Sequence, residues 1–325
     1  MIDIGLAVIL DFLIGDPYWF PHPIIYIGKL IKFLEKFFRK RCKSEKTLKL
    51  SGGVIVIGVM TMSFLIPCFI LYIARNLFWI HHILNIIIIW TTLAARCLHK
   101  EGIKIYESLK NGNLEDARLK LSYIVGRETK ELTKKEVIRA DVETIAENTA
   151  DGVIAPLLFV MIGGAPLAML YKGVNTMDSM LGYMNKKYKD IGFLPAKCDD
   201  VFNYIPARIT GILICLASPF CSGNILQSLR IMLRDRKNHK SPNCGYPEAA
   251  VAGALRIQIG GTNTYFGETV IKPTIGDPIN ELNLEHIKYT IVLMYLAEIM
   301  LLAIYFLIIW KKIESNNIDF NIGRG

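Results

Sequence analysis

The chain has 325 residues, 52% of them hydrophobic, with 38 Lys and Arg against 29 Asp and Glu for a formal net charge of +9. A mean hydropathy of +0.35 excludes a disordered chain and argues against an ordinary soluble enzyme, because the apolar residues are bunched into membrane-length runs. The positive surplus does not point to nucleic acid: nine basic and two acidic residues fall between Lys29 and Lys49, directly before an apolar run, which is the positive-inside pattern.

The first segment, 1–15, is apolar but carries Asp3 and Asp11 and lacks a basic leader and a cleavage site, so it reads as a retained helix rather than a signal peptide. LDFLIGDPYWFPHP then sets Asp11, Asp16 and His22 around a proline-rich break, where a lone histidine reads as a turn residue. A bilayer core about 30 Å thick takes roughly 20 apolar residues in helix, and the runs 51–74, 77–95 and 289–310 meet that length. Arg75 and Asn76 alone separate the first two, predicting a helical hairpin whose ends return to the side of the basic loop, taken as the cytoplasm. The runs 153–171 and 205–221 are shorter and interrupted by Pro156, Gly163, Gly164, Pro166, Pro206 and Pro219. Parity favours re-entrant or bundled runs there, since two crossings would put the polar residues between them across the membrane from 96–152, the expected cytoplasmic helical loop.

Within that loop Asn113 is placed as an N-cap with Asp116 three residues on, and Gly126 stops the helix. Thr133 and Glu136 form a capping box. Val142, Ile145, Ala146, Thr149 and Val153 follow at helical spacing, up to a stop at Asp151-Gly152. Seven cysteines without a C-x-x-C pair read as reduced thiols. With no internal repeat, Ser/Gly linker or strand-rich stretch, the fold class is all-α: a polytopic integral membrane protein with cytoplasmic helical loops, forming one domain.

Chemistry concentrates in a few places. In RADVETIAENTADG, Glu143, Glu147 and Asp151 lie at i, i+4 and i+8 on one helical face, where like charges repel by about 0.2–0.5 kcal/mol per pair. A cation between them removes that cost, and oxygen ligands suit Mg²⁺ rather than zinc. The bland alternative is a solvated face paired with Lys130, Lys134 or Arg139. YKGVNTMDSMLGY brings Lys172, Asn175 and Asp178 beside an interrupted apolar run, where ionisable groups need a wet cavity or a partner. CDDVFNYIPARITG sets Asp199 and Asp200 ahead of Arg208, equally compatible with an interfacial salt bridge. SPNCGYPEAAVAGAL reads as a loop entering a helix at Pro247, whose open N–H groups, with Ser241 and Asn243, offer an anion site or simply a cap. No P-loop, G-x-G-x-x-G, H-E-x-x-H or G-x-S-x-G motif is present.

Six blocks in order resemble the adenosylcobinamide-phosphate synthase family of cobalamin biosynthesis: LDFLIGDPYWFPHPIIYIGKLI, DARLKLSYIVGRET, RADVETIAENTADGVIAPLLF, GGAPLAMLYKGVNTMDSMLGY, DDVFNYIPARITG and SPNCGYPEAAVAGALRIQIGG. The resemblance spans residues 3 to about 276. It implies a multi-pass cell-membrane enzyme joining (R)-1-amino-2-propanol O-2-phosphate, or the free amino alcohol, to the propionate carboxylate of adenosylcobyric acid. ATP and Mg²⁺ are the expected co-substrate and metal, and the corrinoid is substrate rather than cofactor. Chemistry assigns the roles: Glu143, Glu147 and Asp151 to the metal, Lys172 and Arg208 to phosphoryl charge, Asp199 or Asp200 to the ammonium proton, and Asn175, Asp178, Ser241, Asn243 and Glu248 to substrate binding. Two rivals remain. A transporter would devote more spans and fewer loop residues to its pathway, and a Mg²⁺-dependent lipid phosphotransferase would complete an Asp-Gly-x-x-Ala-Arg pattern after Asp151-Gly152, which this chain does not.

Overall fold

A computed structural model describes the backbone of residues 1–17, 19–265 and 268–322, and side chains for 1–17, 19–262 and 270–315. The N-terminal run forms α1 (Ile2–Ile14). Proline opens α2 (Pro23–Arg41), its fixed φ suiting a first helical turn, and His22 Nδ1 accepts the Ile24 N–H at 3.2 Å. That histidine is a cap.

Ser44 caps α3 (Glu45–Ala74), whose 30 residues extend about 45 Å at 1.5 Å per residue. A short break leads to α4 (Phe78–Trp90). The run expected over 77–95 therefore ends early: Thr91 and Thr92 turn their hydroxyls back onto the carbonyls of Ile88 and Ile89, competing with the helical ladder. The chain then resumes as α5 (Ala95–Lys110). Asn113 caps α6 (Leu114–Ser122) through the Asp116 N–H, and α7 (Lys134–Thr149) carries the expected Thr133–Glu136 capping box.

No stop occurs at Asp151-Gly152. Ala150–Ile154 widen into one π turn and continue into α8 (Ala155–Leu181). The interruption comes later, at Gly163 (φ −140°, ψ 20°) and Gly164 (φ 70°, ψ −168°). Gly164 occupies a region that only glycine enters at low cost, and there the chain reverses. Tyr171 Oη donates to the Asp151 carbonyl at 3.0 Å, and the Phe159 and Tyr171 rings stack at 4.9 Å. A straight helix would hold residues 20 apart at about 30 Å. The returning arm packs against α3 at Gly173, where a Cβ would lie 2.5 Å from Ser63 Oγ.

Next come α9 (Phe193–Phe202), α10 (Tyr204–Ala217) with a 3₁₀ turn at Ser218–Cys221, α11 (Ile225–Asp235) and α12 (Gly245–Leu255). The last begins two residues before the expected Pro247. The chain then forms a feature that its sequence does not announce: β1 (Ile259–Tyr265) and β2 (Glu268–Ile275) pair antiparallel, with an irregular register between Gly260 and Thr262. The long α13 (Glu285–Ile322) closes the described chain.

The protein is thus an all-α polytopic membrane protein with one small hairpin. Among the described residues, five helical stretches are long and apolar enough to cross a membrane: Glu45–Ala74, Phe78–Lys110, Lys134–Leu181, Tyr204–Cys221 and Glu285–Ser315. The third contains the reversal, so length alone overstates its reach. Exposed Ile57, Leu65, Phe69, Trp79, Leu307 and Ile308 give α3, α4 and α13 the apolar outer faces that lipid covers.

Candidate active site

The reversal in α8 brings four elements to one place. Asn175 Nδ2 on the returning arm lies 3.4 Å from Asp151 Oδ2 in the π turn and 3.5 Å from Asp199 Oδ1 on α9. Asn203 Nδ2 donates to Asp199 Oδ2 at 3.0 Å, and Asn203 Oδ1 accepts from Tyr171 Oη at 2.8 Å. Glu147, one turn before Asp151, and Asp178, one turn after Asn175, add their charges: Asp151 feels Asp199, Glu147 and Asp178, and Asp178 feels Asp199, Glu147 and Asp200. Burial pushes the Asp199 carboxyl up to about 6; hydrogen bonds from Asn203 and Asn175 oppose the rise, and Asp200 and Glu147 add to it. π turns recur at functional sites, and this one places a carboxylate.

The three carboxylates of α7 do not act as a set. Glu143 is buried in an ion pair with Arg127 at 2.6 Å, with Arg139 Nε 3.8 Å away and the Gly260 N–H donating at 2.8 Å. It is held by two arginines and the hairpin, away from Asp151. The rival reading that paired this face with Arg139 therefore fits Glu143, though the residue is buried rather than solvated. Glu147 instead accepts from Cys244 Sγ at 3.0 Å, a thiol that burial and then the Glu147 charge push well above its ordinary pKa and keep protonated. Lys172 is 7% exposed and interacts with Asp16, Asp11 and Asp151, at the deep side of the cluster towards α1. Asp200 pairs at the surface with Lys197 at 2.7 Å.

The loop before α12 meets this cluster through Asn243 at the Asp200 carbonyl and Cys244 at Glu147. Asn243 is 4% exposed, donates to the Asp200 carbonyl at 2.8 Å, and accepts from Arg208 Nη1 at 3.4 Å. Ser241 Oγ accepts the N–H groups of Asn243 and Cys244 at 3.2 and 3.4 Å, so it spends itself on the turn. The Arg208 guanidinium sits between two rings, 3.4 Å from Tyr204 and 4.4 Å from Tyr246. Glu248 is 4% exposed and stands 3.9 Å from His239 Nε2; burial, then Glu143 and Glu147, push its carboxyl well above the ordinary range.

Sequence reasoning passed over Tyr171, Asn203, Cys244, Arg127 and His239. Four of them lie in the segments already singled out, but spacing alone gives no reason to choose a tyrosine or a thiol. Arg127 contacts Glu143 only through tertiary folding.

The donor set is all oxygen. Among the described residues no three His, Cys, Asp or Glu form a group that could hold a metal ion unaided. Mg²⁺ does not require one, since it keeps several waters and takes one or two carboxylates plus substrate phosphates. Asp151 and Asp199, bridged by Asn175, meet that need with Glu147 and Asp178 beside them; Glu143 does not.

A family profile described as CobD/Cbib protein matches residues 4–294. The chain is 65% identical to cobalamin biosynthesis protein CobD of Clostridium acetobutylicum over 309 residues, 95% of this chain and 98% of that one. It is 50% identical to the protein of the same name from Geobacter metallireducens over 303 residues, 92% and 93% of the two chains. Against cobalamin biosynthesis protein CbiB of Salmonella typhi it is 46% identical over 301 residues, 92% and 94%. No solved structure matches the chain.

Proposed function

Because the chain belongs to the CobD/Cbib family, whose members at 46–65% identity carry names of cobalamin biosynthesis, we propose that it is an ATP-dependent acid–amine ligase of the cell membrane. The reaction joins (R)-1-amino-2-propanol O-2-phosphate, or the free amino alcohol, to the propionate carboxylate of adenosylcobyric acid, giving adenosylcobinamide phosphate. An amine cannot displace oxide from a carboxylate, so the propionate first attacks the γ-phosphorus of ATP, releasing ADP and leaving an acyl phosphate. The amine then attacks the acyl carbon, inorganic phosphate departs, and the ammonium proton passes to a carboxylate.

The observation that supports this reading is the convergence of Asp151, Asp199 and Asn175 at the reversal, with Arg208 and Asn243 tied to the neighbouring Asp200 carbonyl. Bound Mg²⁺ would neutralise the transferring phosphoryl oxygens, and Asp151 and Asp199 are the residues placed to hold it. Lys172 balances the carboxylates from the deep side, and Arg208, locked between Tyr204 and Tyr246, offers a fixed cation to substrate phosphate. Of the two carboxylates that could take the ammonium proton, Asp199 lies within the cluster and Asp200 pairs at the surface with Lys197; either serves as base only while it does not hold the metal. The test is an ATPase and product assay on purified protein. ATP hydrolysis should require both corrinoid and amine, and mass spectrometry should find the amide; hydrolysis with neither, or an unmodified corrinoid, rejects the proposal.

A further inference from the structure

Beside the carboxylate cluster lies a second, oppositely charged feature. A cavity of about 250 Å³ is lined by Arg208, Arg236, Lys237, His239, Ser241 and Tyr246, with Pro242 at its edge. Among the described residues none of the three cations has a carboxylate partner. Arg208 engages the Tyr204 carbonyl, Asn243 and two rings, and Arg236 donates to the Leu233 carbonyl. Arg127, by contrast, is neutralised by Glu143, and even the exposed Arg234 is neutralised by Asp235 and Asp277. Like charges gathered round a concavity repel one another unless an anion enters, and arginine's planar fork suits phosphate oxygens.

The walls are also held in place. His239 Nδ1 accepts the Ser241 N–H at 3.0 Å, which fixes the ring. Tyr204 and Tyr246 fix Arg208. Burial depresses the His239 pKa, so the ring contributes hydrogen bonding rather than charge near neutrality. Glu248, 3.9 Å from His239, is not among the lining residues.

Resting on the ligase reading, we infer that this cavity is the subsite for the phosphate monoester of the amine substrate, with Arg236 and Lys237 as specificity-determining residues alongside Arg208. Two observations favour the amine over ATP as the source. The cavity is smaller than the roughly 300–1,000 Å³ typical of drug-sized ligands, which suits a three-carbon amine phosphate and not a nucleotide. It also lies next to the acidic side: Asn243, which Arg208 touches, bonds the main-chain carbonyl of Asp200, and Cys244 bonds the Glu147 carboxylate. A two-carbon link separates the amine nitrogen from its phosphate oxygen, so phosphate anchored here leaves the ammonium facing the acidic side, where its proton is to be taken.

The test uses full-length protein in phosphatidylcholine nanodiscs, without corrinoid or turnover. Calorimetric titrations compare (R)-1-amino-2-propanol O-2-phosphate, the unphosphorylated amine and ATP. Arg236→Gln should weaken the amine phosphate at least tenfold, leave the other two unchanged, and regain part of the loss as Arg236→Lys. Lys237→Gln, at an exposed position, should weaken the same ligand severalfold and guards against misfolding at Arg236. Unchanged affinity for the amine phosphate in both glutamine variants overturns the subsite, and a loss confined to ATP transfers the cavity to the nucleotide and overturns it equally. The ligase reading fails separately: protein that binds the amine phosphate through Arg236 but forms no amide keeps the subsite and loses the reaction.

Discussion

Replacing Gly164 with alanine tests the reversal on which the candidate site depends. An added Cβ would meet nothing closer than Pro166 Cδ at 3.8 Å, so the substitution is not opposed by crowding. It is opposed by the backbone, since φ 70° with ψ −168° is a conformation essentially confined to glycine, and imposing it on another residue costs about 1–3 kcal/mol. Against a total stability of about 5–15 kcal/mol, that is enough to lower a thermal midpoint by several degrees. Because the two arms hold Asp151 and Asn175 together, any relaxation of the strain moves one against the other, and turnover should fall severalfold or more. Gly112 supplies the control. It also has positive φ, 76°, with no atom within 4 Å of an added Cβ, but it lies in the turn before α6. Gly112→Ala should therefore lower stability and leave turnover intact. The two variants are compared by scanning fluorimetry in detergent and by the ligase assay. If Gly164→Ala matches the parent protein in both, the chain does not reverse at this point.

Four further outcomes are expected. Cysteine placed at Lys186 should be modified from the same membrane side as cysteine placed at Lys130; labelling from opposite faces sinks the single-site arrangement. Glu147→Gln should lose turnover on the order of 10²-fold, about 3 kcal/mol of barrier, recover part of it with added Mg²⁺, and keep its melting temperature, whereas Glu143→Gln breaks a buried pair and should lose about 3–5 kcal/mol of stability without a change in Mg²⁺ dependence. The Asp199 carboxyl, pushed up from 3.8 to about 6 in metal-free protein, binds its proton more tightly folded than unfolded, so its stabilising contribution is present in acid and is lost as pH rises from 3.8 to 6; the melting temperature measured in chelator should carry that loss, and Asp199→Asn should remove it. Asn243→Ala, which frees the Asp200 carbonyl and Arg208, should raise the KM for a phosphorylated substrate; a fall in melting temperature with unchanged kinetics would make Asn243 a turn residue only.

Local signals were readable because their causes are local. The Asn113 and Thr133 caps involve residues three apart, and the structure has both bonds. The breaks at Gly163, Gly164 and Pro166 were equally visible as breaks, but their direction was not, because composition carries no sign of φ. A helical period also assumes that 3.6 residues make every turn. The π turn at Ala150–Ile154 violates that assumption at the residue that matters, since one extra residue rotates the downstream side chains by about 100° relative to a regular helix. The hairpin at 259–275 is hidden for a related reason: Gly260 and Gly261 are poor strand formers, and their positive φ values fall at the irregularity in the pairing with β2.

The division among the acidic residues shows what spacing could not supply. Glu143, Glu147 and Asp151 are equivalent in sequence, yet each is answered by a different kind of donor. Arg127 and Arg139 bring full positive charge to Glu143, so its ionised form is already neutralised and a further cation would gain little there. Glu147 receives a protonated thiol, and Asp151 and Asp199 receive amides from Asn175 and Asn203. Neutral donors orient a carboxylate without cancelling its charge, so among the described residues no arginine neutralises this group, and Lys172 is the cation that it meets. A carboxylate neutralised by arginine is spent on the fold, while one held by neutral donors stays open to a cation or a proton. By that criterion Asp151 and Asp199 are the metal candidates, and Glu143, however well spaced, is part of the scaffold that holds β1 against α7.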